Sequence, residues 1–543
     1  MKLIADYTAM LKQEFKGYNA ASLTKDLMAG ITVCAVALPL ALAFGVSSGA
    51  TASAGLITAI IAGIFMSVLA GGFYQISGPT GAMAAVLAGI VAQYGMQGVF
   101  VATFLAGVLL LVAGFLHLGR LTSFIPAPVI AGFTSGIAVI IALGQVDNFF
   151  GVHSEGVSAV EKLVSYGRLG FSPNWYALGI GLIVVGLMIV YPKKWNGVVP
   201  SSLVAIIVAT IISSVLKMDV AVVGAIPKTL LPDERLTLAA LDMETVKAML
   251  APAVSIALLG MIESLLCGAS AGRMTGVTLK SDQELVAQGV GNMLVPLFGG
   301  IPATAAIART SVAIKSGAVT RLAGVFHAMG LLASMMLLSP LMSRIPLAGL
   351  AGVLMVTAWR MNEWSTIRFW FQHKLKSSIA KFFITMLATV LFDLTTAIVI
   401  GVVGALVLFV AKSADLSIAS EEVDPARLGL EELPGSRSAA VVYLTGPLFF
   451  MTSDTLRSGL EAVEDKHTVI LSMRGVPSID VTAAGVLEEY WKSCQKRNVQ
   501  LFFSSVQPHV MQYLEQEGFV DTVGREAFFE SVDKLLIKVS LNA

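Results

Sequence analysis

The chain of 543 residues is 56% hydrophobic, and charged side chains make up only 13% of it. Soluble domains carry about 25% charged residues, so this composition excludes an ordinary soluble protein and indicates one that crosses a bilayer several times. The formal net charge is +1, which gives no excess of either sign to attract nucleic acid or an acidic partner. The histidines are scattered and there is no P-loop, so no metal site, no ATP-driven transport and no enzyme activity is expected.

The first residues mix apolar side chains with charges such as Asp6, Lys12 and Glu14, a pattern typical of an amphipathic segment rather than a signal peptide. We expect residues 1–23 to form a cytoplasmic N-terminal segment, followed by a membrane domain over residues 24–415. Apolar runs in that domain predict fourteen membrane spans. They lie near residues 27–45, 53–70, 79–93, 98–117, 126–146, 175–191 and 198–216 in the first half, and near 251–271, 285–298, 303–316, 321–341, 346–361, 380–396 and 398–411 in the second.

The third and tenth spans are too short to cross alone, with roughly 14 residues against about 20 for a full crossing. Each follows a stretch that could be extended, Phe73 to Ser77 and Leu297 to Ile301. Such backbone is tolerated at membrane depth only where protein or a water-filled cavity surrounds it. Two interrupted helices are therefore predicted, although re-entrant or badly delimited helices would give the same pattern.

Both short spans contain a proline with a threonine close behind it, in SGPTGA (Ser77 to Ala82) and in GGIPATAAIAR (Gly299 to Arg309). Proline suits the first position of a helix, so each motif predicts a helix that starts inside the membrane. Such a start directs unpaired N–H groups and a positive dipole end into the bilayer. Two of them in opposite halves of a chain predict an anion site near the midplane.

Positive residues fall in the loops that this count places inside, among them Lys193, Lys194, Arg273 and Lys280. Their distribution predicts that both termini are cytoplasmic. Because each half has an odd number of spans, two similar halves would enter the membrane from opposite sides. The expected architecture is therefore an inverted repeat, which is common among secondary transporters.

Four residues near the helix starts could contact the anion. The hydroxyls of Thr80 and Thr304 could bind it or only cap the helices. Gly78 and Gly81 would let the backbone approach it closely, or would serve helix packing alone. The residues by themselves leave both roles open.

Glu263 is the only charged residue in its apolar span, APAVSIALLGMIESLLCGASAG. A carboxylate at bilayer depth is costly and by default marks an ion or proton site. Glu263 is therefore predicted to bind the coupling ion, which is H⁺ or, as the alternative, Na⁺. Its alternative role is a structural partner for Arg309 or for backbone N–H groups. Arg309 is the only charged residue between Glu284 and Lys315, and it could complete the anion site or lie behind it as a counter-charge.

The composition changes after the last span. Residues 416–437 are rich in charge, proline and glycine, and we interpret them as a linker. Over residues 438–543, three strand-like runs, AAVVYLTG, HTVILSMRGV and VQLFFSS, alternate with helical segments. This pattern predicts a small cytoplasmic α/β domain of about a hundred residues.

Several segments carry a resemblance to a known family: DLMAGITVCAVALPLALAFG, SGPTGA, IPAPVIAGFTSGI, the run that begins IESLLCGASAGRMTG, IPATAAIARTS and IPLAGLAGVLMVTAW. From about Leu23 to its end, the chain resembles the sulfate permease (SulP) family of anion transporters, and its C-terminal domain is similar to a STAS domain. The resemblance implies an all-α polytopic membrane protein, a seven-plus-seven inverted repeat divided into a core and a gate. It also implies a homodimer in which the core moves against the gate like an elevator.

By position, the resemblance places the anion between the facing ends of half-helices three and ten, each preceded by a short strand. The implied substrate-binding residues are Gly78, Pro79, Thr80, Gly81, Pro302, Ala303, Thr304, Ala305 and Arg309. Glu263 is implied as the coupling carboxylate. No cofactor is implied, and no metal unless Na⁺ takes the place of H⁺ at Glu263.

One position departs from the STAS pattern. STAS domains of one type carry a phosphorylated serine after an aspartate, whereas here Val481 follows Asp480, and Thr482 is expected to cap the helix. A phosphorylation switch is therefore not expected, and the domain is expected to support assembly or regulation through other contacts.

Together these observations predict a secondary transporter of small anions such as sulfate, bicarbonate or a dicarboxylate. We expect it in the cytoplasmic membrane, as an H⁺- or Na⁺-coupled symporter. Its expected partners are the anion, membrane lipid and a second copy of the chain, with no nucleic acid. Two alternatives stay open: a nucleobase transporter of the related fold, against which the STAS domain and Arg309 argue, and a membrane sensor that signals through its STAS domain.

Overall fold

The computed structural model describes residues 2–119, 126–156, 159–192, 195, 199–237, 240–392, 394–422, 439–463 and 465–535. It divides into two compact units, Met1–Gly404 and Ala405–Ala543, which we describe separately.

The first unit is built almost entirely of helices. In the first half of the chain they are α1 (Lys2–Glu14), α2 (Ala20–Ser47), α3 (Ala52–Leu69), α4 (Gly81–Phe115), α5 (Ala127–Gly144), α6 (Val146–Phe150), α7 (Ala159–Leu169), α8 (Trp175–Val190) and α9 (Ser201–Val215). In the second half they are α10 (Met243–Thr275), α11 (Ser281–Leu294), α12 (Ile307–Lys315), α13 (Leu322–Met342), α14 (Leu347–Met361), α15 (Trp364–Gln372) and α16 (Lys376–Leu391). Helix α17 (Leu394–Ser413) begins in the first unit and ends in the second.

Six of the described helices are long and apolar enough to cross a membrane: α2, α3, α4, the continuous stretch from α5 through α6, α10 and α13. A helix lies on each predicted span, but α4 runs through the third and fourth of them with a break at Gly95. Gly95 has φ 67°, a conformation that favours glycine, and it separates the two predicted spans. The count of fourteen crossings stays a prediction.

The helices of the first unit pack as two groups. The first group contains α2, α3, α4, α10, α11, α12 and α13. The second group contains α5, α6, α8, α9, α14 and α16. The groups meet where α2 packs against α9 and α14, and where α4 packs against α5.

The N-terminal helix α1 is held by a buried ion pair. The Glu14 carboxylate lies 2.7 Å from the Arg321 guanidinium and accepts the Arg321 backbone N–H at 2.6 Å. The same guanidinium donates to the Val68 carbonyl at 2.7 Å. Buried charges are tolerated when they are paired and hydrogen-bonded in this way, so part of the predicted surface segment is fixed to the helical unit.

The second unit contains a five-stranded sheet in the order β3 (Ser417–Glu422), β4 (Ala439–Thr445), β5 (Thr468–Gly475), β6 (Gln500–Ser504) and β7 (Phe528–Phe529). Strand β3 is antiparallel to β4, and the remaining pairs are parallel. Its helices are α18 (Ser453–Glu461), α19 (Val481–Lys496), α20 (Pro508–Gln516) and α21 (Phe519–Val523). The small α/β domain is confirmed.

Two predictions in this unit are wrong. The predicted linker over 416–437 begins with strand β3, because its residues pair along the edge of β4; positions 423–437 lie outside the described residues. The N-cap of α19 is Asp480, whose carboxylate accepts the Ala483 N–H at 2.9 Å, and not Thr482. Val481 is exposed at the start of the helix.

Candidate functional site

The two halves of the membrane domain meet where two extended segments cross. Strand β1 (Ser77–Gly78) pairs antiparallel with β2 (Thr304–Ala305), so that Gly78 stands opposite Thr304. Helix α4 starts three residues after β1, and α12 starts two residues after β2. The predicted juxtaposition of two helix starts from opposite halves is therefore present.

The starts differ from the sequence prediction in detail. We expected Pro79 and Pro302 to open the helices, but α4 begins at Gly81 behind its N-cap Thr80, and α12 begins only at Ile307. Segment 297–301, predicted as extended, begins with the end of a 3-10 helix at Val295–Phe298. Backbone pairing between the two segments outweighs the local preference of proline for a first helical turn.

A single carboxylate oxygen joins the two starts. Glu263 lies in the middle of α10, and its Oε2 accepts the Thr80 hydroxyl and the Thr304 hydroxyl, each at 2.8 Å. Thr80 belongs to the first half of the chain and Thr304 to the second. The lone acidic residue of the span thus lies at the tips of both half-helices.

Arg309 lies behind the crossing. It is the third residue of α12 and is only 2% exposed. Its Nη2 donates to the Pro79 carbonyl at 2.8 Å, and its Nη1 has no hydrogen-bond partner among the described residues. A Cβ atom at Gly78 would come within 2.4 Å of Nη1, so the guanidinium depends on a glycine at this position.

The helix starts keep donors available. The Met83 N–H reaches the Thr80 hydroxyl at 3.4 Å, and the Ala84 N–H reaches the Thr80 carbonyl. Among the hydrogen bonds of the described residues, none takes the N–H of Gly81 or Ala82 in α4, nor those of Ile307 and Ala308 in α12. Free N–H groups at a helix start, together with the helix dipole, attract an anion.

Other predicted binding residues are already engaged by the protein. The Ala303 N–H and carbonyl both pair with the Asn292 side chain, at 2.8 and 2.9 Å. The Ala305 N–H donates to the Ser264 hydroxyl at 3.2 Å. Pro302 is buried beside them. These residues are brought to the crossing, but the N–H groups of Ala303 and Ala305 are used to hold β2 in place.

A row of polar side chains on α11, not predicted from the sequence, holds these segments in place. Glu284, Gln288 and Asn292 recur every fourth residue on one buried face of the helix. Glu284 accepts the Gly71 N–H at 2.9 Å, and Gln288 donates to the Ser77 hydroxyl at 3.0 Å. The spacing of four residues between the polar side chains in ELVAQGVGN could have indicated that one polar helix face supports the neighbouring segments.

Further side chains complete the support from other helices. The Thr58 hydroxyl on α3 accepts the Ile301 N–H at 2.7 Å. Its own hydrogen has two acceptors within reach, the Ala54 carbonyl at 2.7 Å and the Ile301 carbonyl at 3.0 Å. Thr310 on α12 accepts the Ile76 N–H at 3.0 Å. Buried backbone groups must be paired, and here side chains supply the partners that a longer sheet or helix would otherwise provide.

Several apolar helices long enough to cross a membrane, with a buried polar centre built from two helix starts and one carboxylate, are typical of a membrane transport protein. The chain belongs to the sulfate permease family: that family model matches residues 23–389, and the STAS domain model matches residues 432–535. The family, the helical fold class and the C-terminal STAS domain predicted from the sequence are confirmed.

Two similar proteins are named for the transport of small anions. The putative sulfate transporter YvdB of Bacillus subtilis (strain 168) is 38% identical over 542 residues, covering 96% of this chain and 98% of its own. The bicarbonate transporter BicA of Picosynechococcus sp. is 30% identical over 512 residues, 90% of each chain.

Solved structures agree with the fold. The transmembrane domain of a cyanobacterial bicarbonate transporter BicA has a TM-score of 0.65 at 33% identity, covering 70% of this chain and 98% of that one. The structure of SLC26A9 has a TM-score of 0.80, covering 97% of this chain and 92% of that one. At 17% identity, the latter likeness concerns the fold alone.

Proposed function

We propose that this chain is a secondary active transporter of small anions, coupled to the proton gradient across the cytoplasmic membrane. The observation that carries the proposal is the Glu263 carboxylate bonded to one threonine from each half-helix start. The cation site and the anion site would then lie within a few ångströms of each other, so that binding of the cation favours binding of the anion.

The substrate class follows from the donors at the crossing. Two helix starts with free N–H groups and one buried guanidinium suit a compact anion rather than a neutral base. Sulfate, bicarbonate and small dicarboxylates all fit this description. The names of the relatives include sulfate and bicarbonate, and membership of the family speaks against a nucleobase.

Glu263 is proposed to carry the coupling proton. Its span is apolar on either side, and Leu265 is buried beside it. Such surroundings favour protonation of the carboxylate over binding of a hydrated Na⁺ ion. Na⁺ bound by the same carboxylate is the competing arrangement. The two differ in whether uptake follows pH or the sodium concentration.

An elevator movement is proposed from the grouping of the helices. The candidate residues lie on α4, α10, α12 and the two strands, or in the short segments directly beside them, and these helices all belong to the first helix group. The second group would then act as the gate and the fixed scaffold of a homodimer, with both termini in the cytoplasm. Movement of one packed group against another is a common form of conformational change.

Counterflow with the purified full-length protein in liposomes tests the proposal. Labelled sulfate, bicarbonate and fumarate would each be offered with and without Na⁺ and a pH gradient. We expect uptake of at least one anion, stimulated by an inward proton gradient and saturable by the unlabelled anion. Uptake of uracil instead, or no flux of any anion, would contradict the proposal.

A further inference from the structure

Two hydroxyls of the crossing point at one atom. Thr80 Oγ1 and Thr304 Oγ1 both donate to Glu263 Oε2, whereas Oε1 takes no hydrogen bond among those of the described residues. Each hydroxyl has a single hydrogen to donate. While the carboxylate holds both hydrogens, neither hydroxyl can donate to another acceptor.

The same hydroxyls stand where an anion would bind. Thr80 immediately precedes Gly81, whose N–H is free, and Thr304 lies opposite Gly78 across the strand pair. A hydroxyl hydrogen turns about its C–O bond, so it can change acceptor without any movement of the backbone. The two threonines are therefore positioned to serve either of two neighbouring negative groups.

We propose that Thr80 and Thr304 form a hydroxyl switch that couples the cation to the anion: they donate to ionised Glu263, and they turn to the anion once Glu263 is neutralised by a proton. The inference rests on the proposed proton-coupled transport and adds the device that performs the coupling. Protonation removes the repulsion between carboxylate and anion, and it also releases two donors to the anion. Both effects favour loading the anion and proton together.

The other charged groups around α10 do not replace this device. Arg309 on α12 is the charge that acts on Glu263, and its Nη2 is bound to Pro79. On α11, Glu284 is held by Gly71 and Gln288, and Asp282 is paired with His117. Lys315, at the far end of α12, and Tyr94 on α4 are exposed.

Variants of the two threonines test the switch. Equilibrium binding of labelled sulfate, bicarbonate and fumarate would be measured from pH 5 to 8.5 on the purified full chain. For Thr80→Val and Thr304→Val we expect about a tenfold loss of anion affinity at the acidic limit, as for loss of one hydrogen bond to a charged group. We also expect the midpoint of the pH dependence to rise by about one unit, because the carboxylate loses a donor.

Controls separate the switch from a structural role. Thr80→Ser and Thr304→Ser keep the hydroxyl and should restore most of the affinity and the original midpoint. Thr103 donates only within its own helix, to the Val99 carbonyl, so Thr103→Val should leave the pH profile unchanged. Thr304 caps no helix, so its valine variant remains informative if Thr80→Val is unstable.

Each remaining outcome counts against the switch. A lower affinity with an unmoved midpoint would make the hydroxyls plain ligand contacts. A moved midpoint with unchanged limiting affinity would make them supports of the carboxylate alone, and no change in either would leave only a structural role. If wild-type protein binds none of the three anions, the proposed function fails as well, whereas wild-type binding with any of these variant patterns overturns the switch alone.

Discussion

The helix starts of α4 and α12 face each other at the crossing, yet they are built differently. The start of α4 has its own side-chain cap in Thr80, and Gly81 is buried under Ile141 of α5. The start of α12 has no side-chain cap at Ala306, and Ile307 is 47% exposed. The start of α4 is therefore covered by the second helix group, whereas the start of α12 is exposed.

Side chains from distant helices can therefore replace a local helix cap. The segment before α12 is fixed by Asn292 on α11, Ser264 on α10 and Thr58 on α3. Once backbone pairing of β1 with β2 sets the geometry, the local sequence of each half is free to diverge.

The largest loss of anion affinity is expected from replacing the buried guanidinium of Arg309. Arg309→Gln removes the charge and the bond to the Pro79 carbonyl, and should reduce apparent anion affinity by roughly 10- to 100-fold, the range for a hydrogen bond involving a charged group. Arg309→Lys keeps the charge but not the planar guanidinium, so its apparent anion affinity should lie between those of the wild-type protein and Arg309→Gln. Initial uptake rates against anion concentration measure both. Arg344→Gln, an exposed arginine, is the matched control, and equal behaviour of the two glutamine variants would refute the role.

An intermediate effect is expected from the support of α12. Asn292→Leu leaves the Ala303 N–H and carbonyl buried and unpaired, which costs about 1–3 kcal/mol for each group. We expect a lower melting temperature and about tenfold weaker uptake, since β2 and the start of α12 would shift. Asn362→Leu, which removes an amide bonded only near its own helix end, serves as the control. Unchanged uptake by a well-folded Asn292→Leu protein would show that α12 does not need this support.

The smallest effect is expected where α4 meets the second helix group. A Cβ atom at Gly81 would lie 2.3 Å from Ile141 Cδ1, so Gly81→Ala should slow transport several-fold through overpacking of about 1–3 kcal/mol. Ile141→Val removes that carbon, and the double variant should regain most of the rate. A double-mutant cycle of turnover measures the coupling. Additive losses would mean that the two residues do not meet during transport.

The sequence predicted those features of the site that depend on local residue patterns. A charge inside an apolar span located Glu263, and two short spans that each contain a proline and a threonine located the helix starts. The exact starts were not predictable, because pairing between segments more than 200 residues apart fixes them. The roles of Gln288 and Asn292 were missed for the same reason: their partners, Ser77 and Ala303, are specified only by the fold.

The role of Glu263 in coupling is tested by comparing two modes of transport by the Glu263→Gln variant in liposomes. The amide keeps the shape of the side chain but cannot carry the coupling proton. We predict that the variant exchanges labelled anion in counterflow but no longer accumulates it against a gradient when the medium is acidified. Accumulation equal to that of the wild-type protein would contradict the role of this carboxylate.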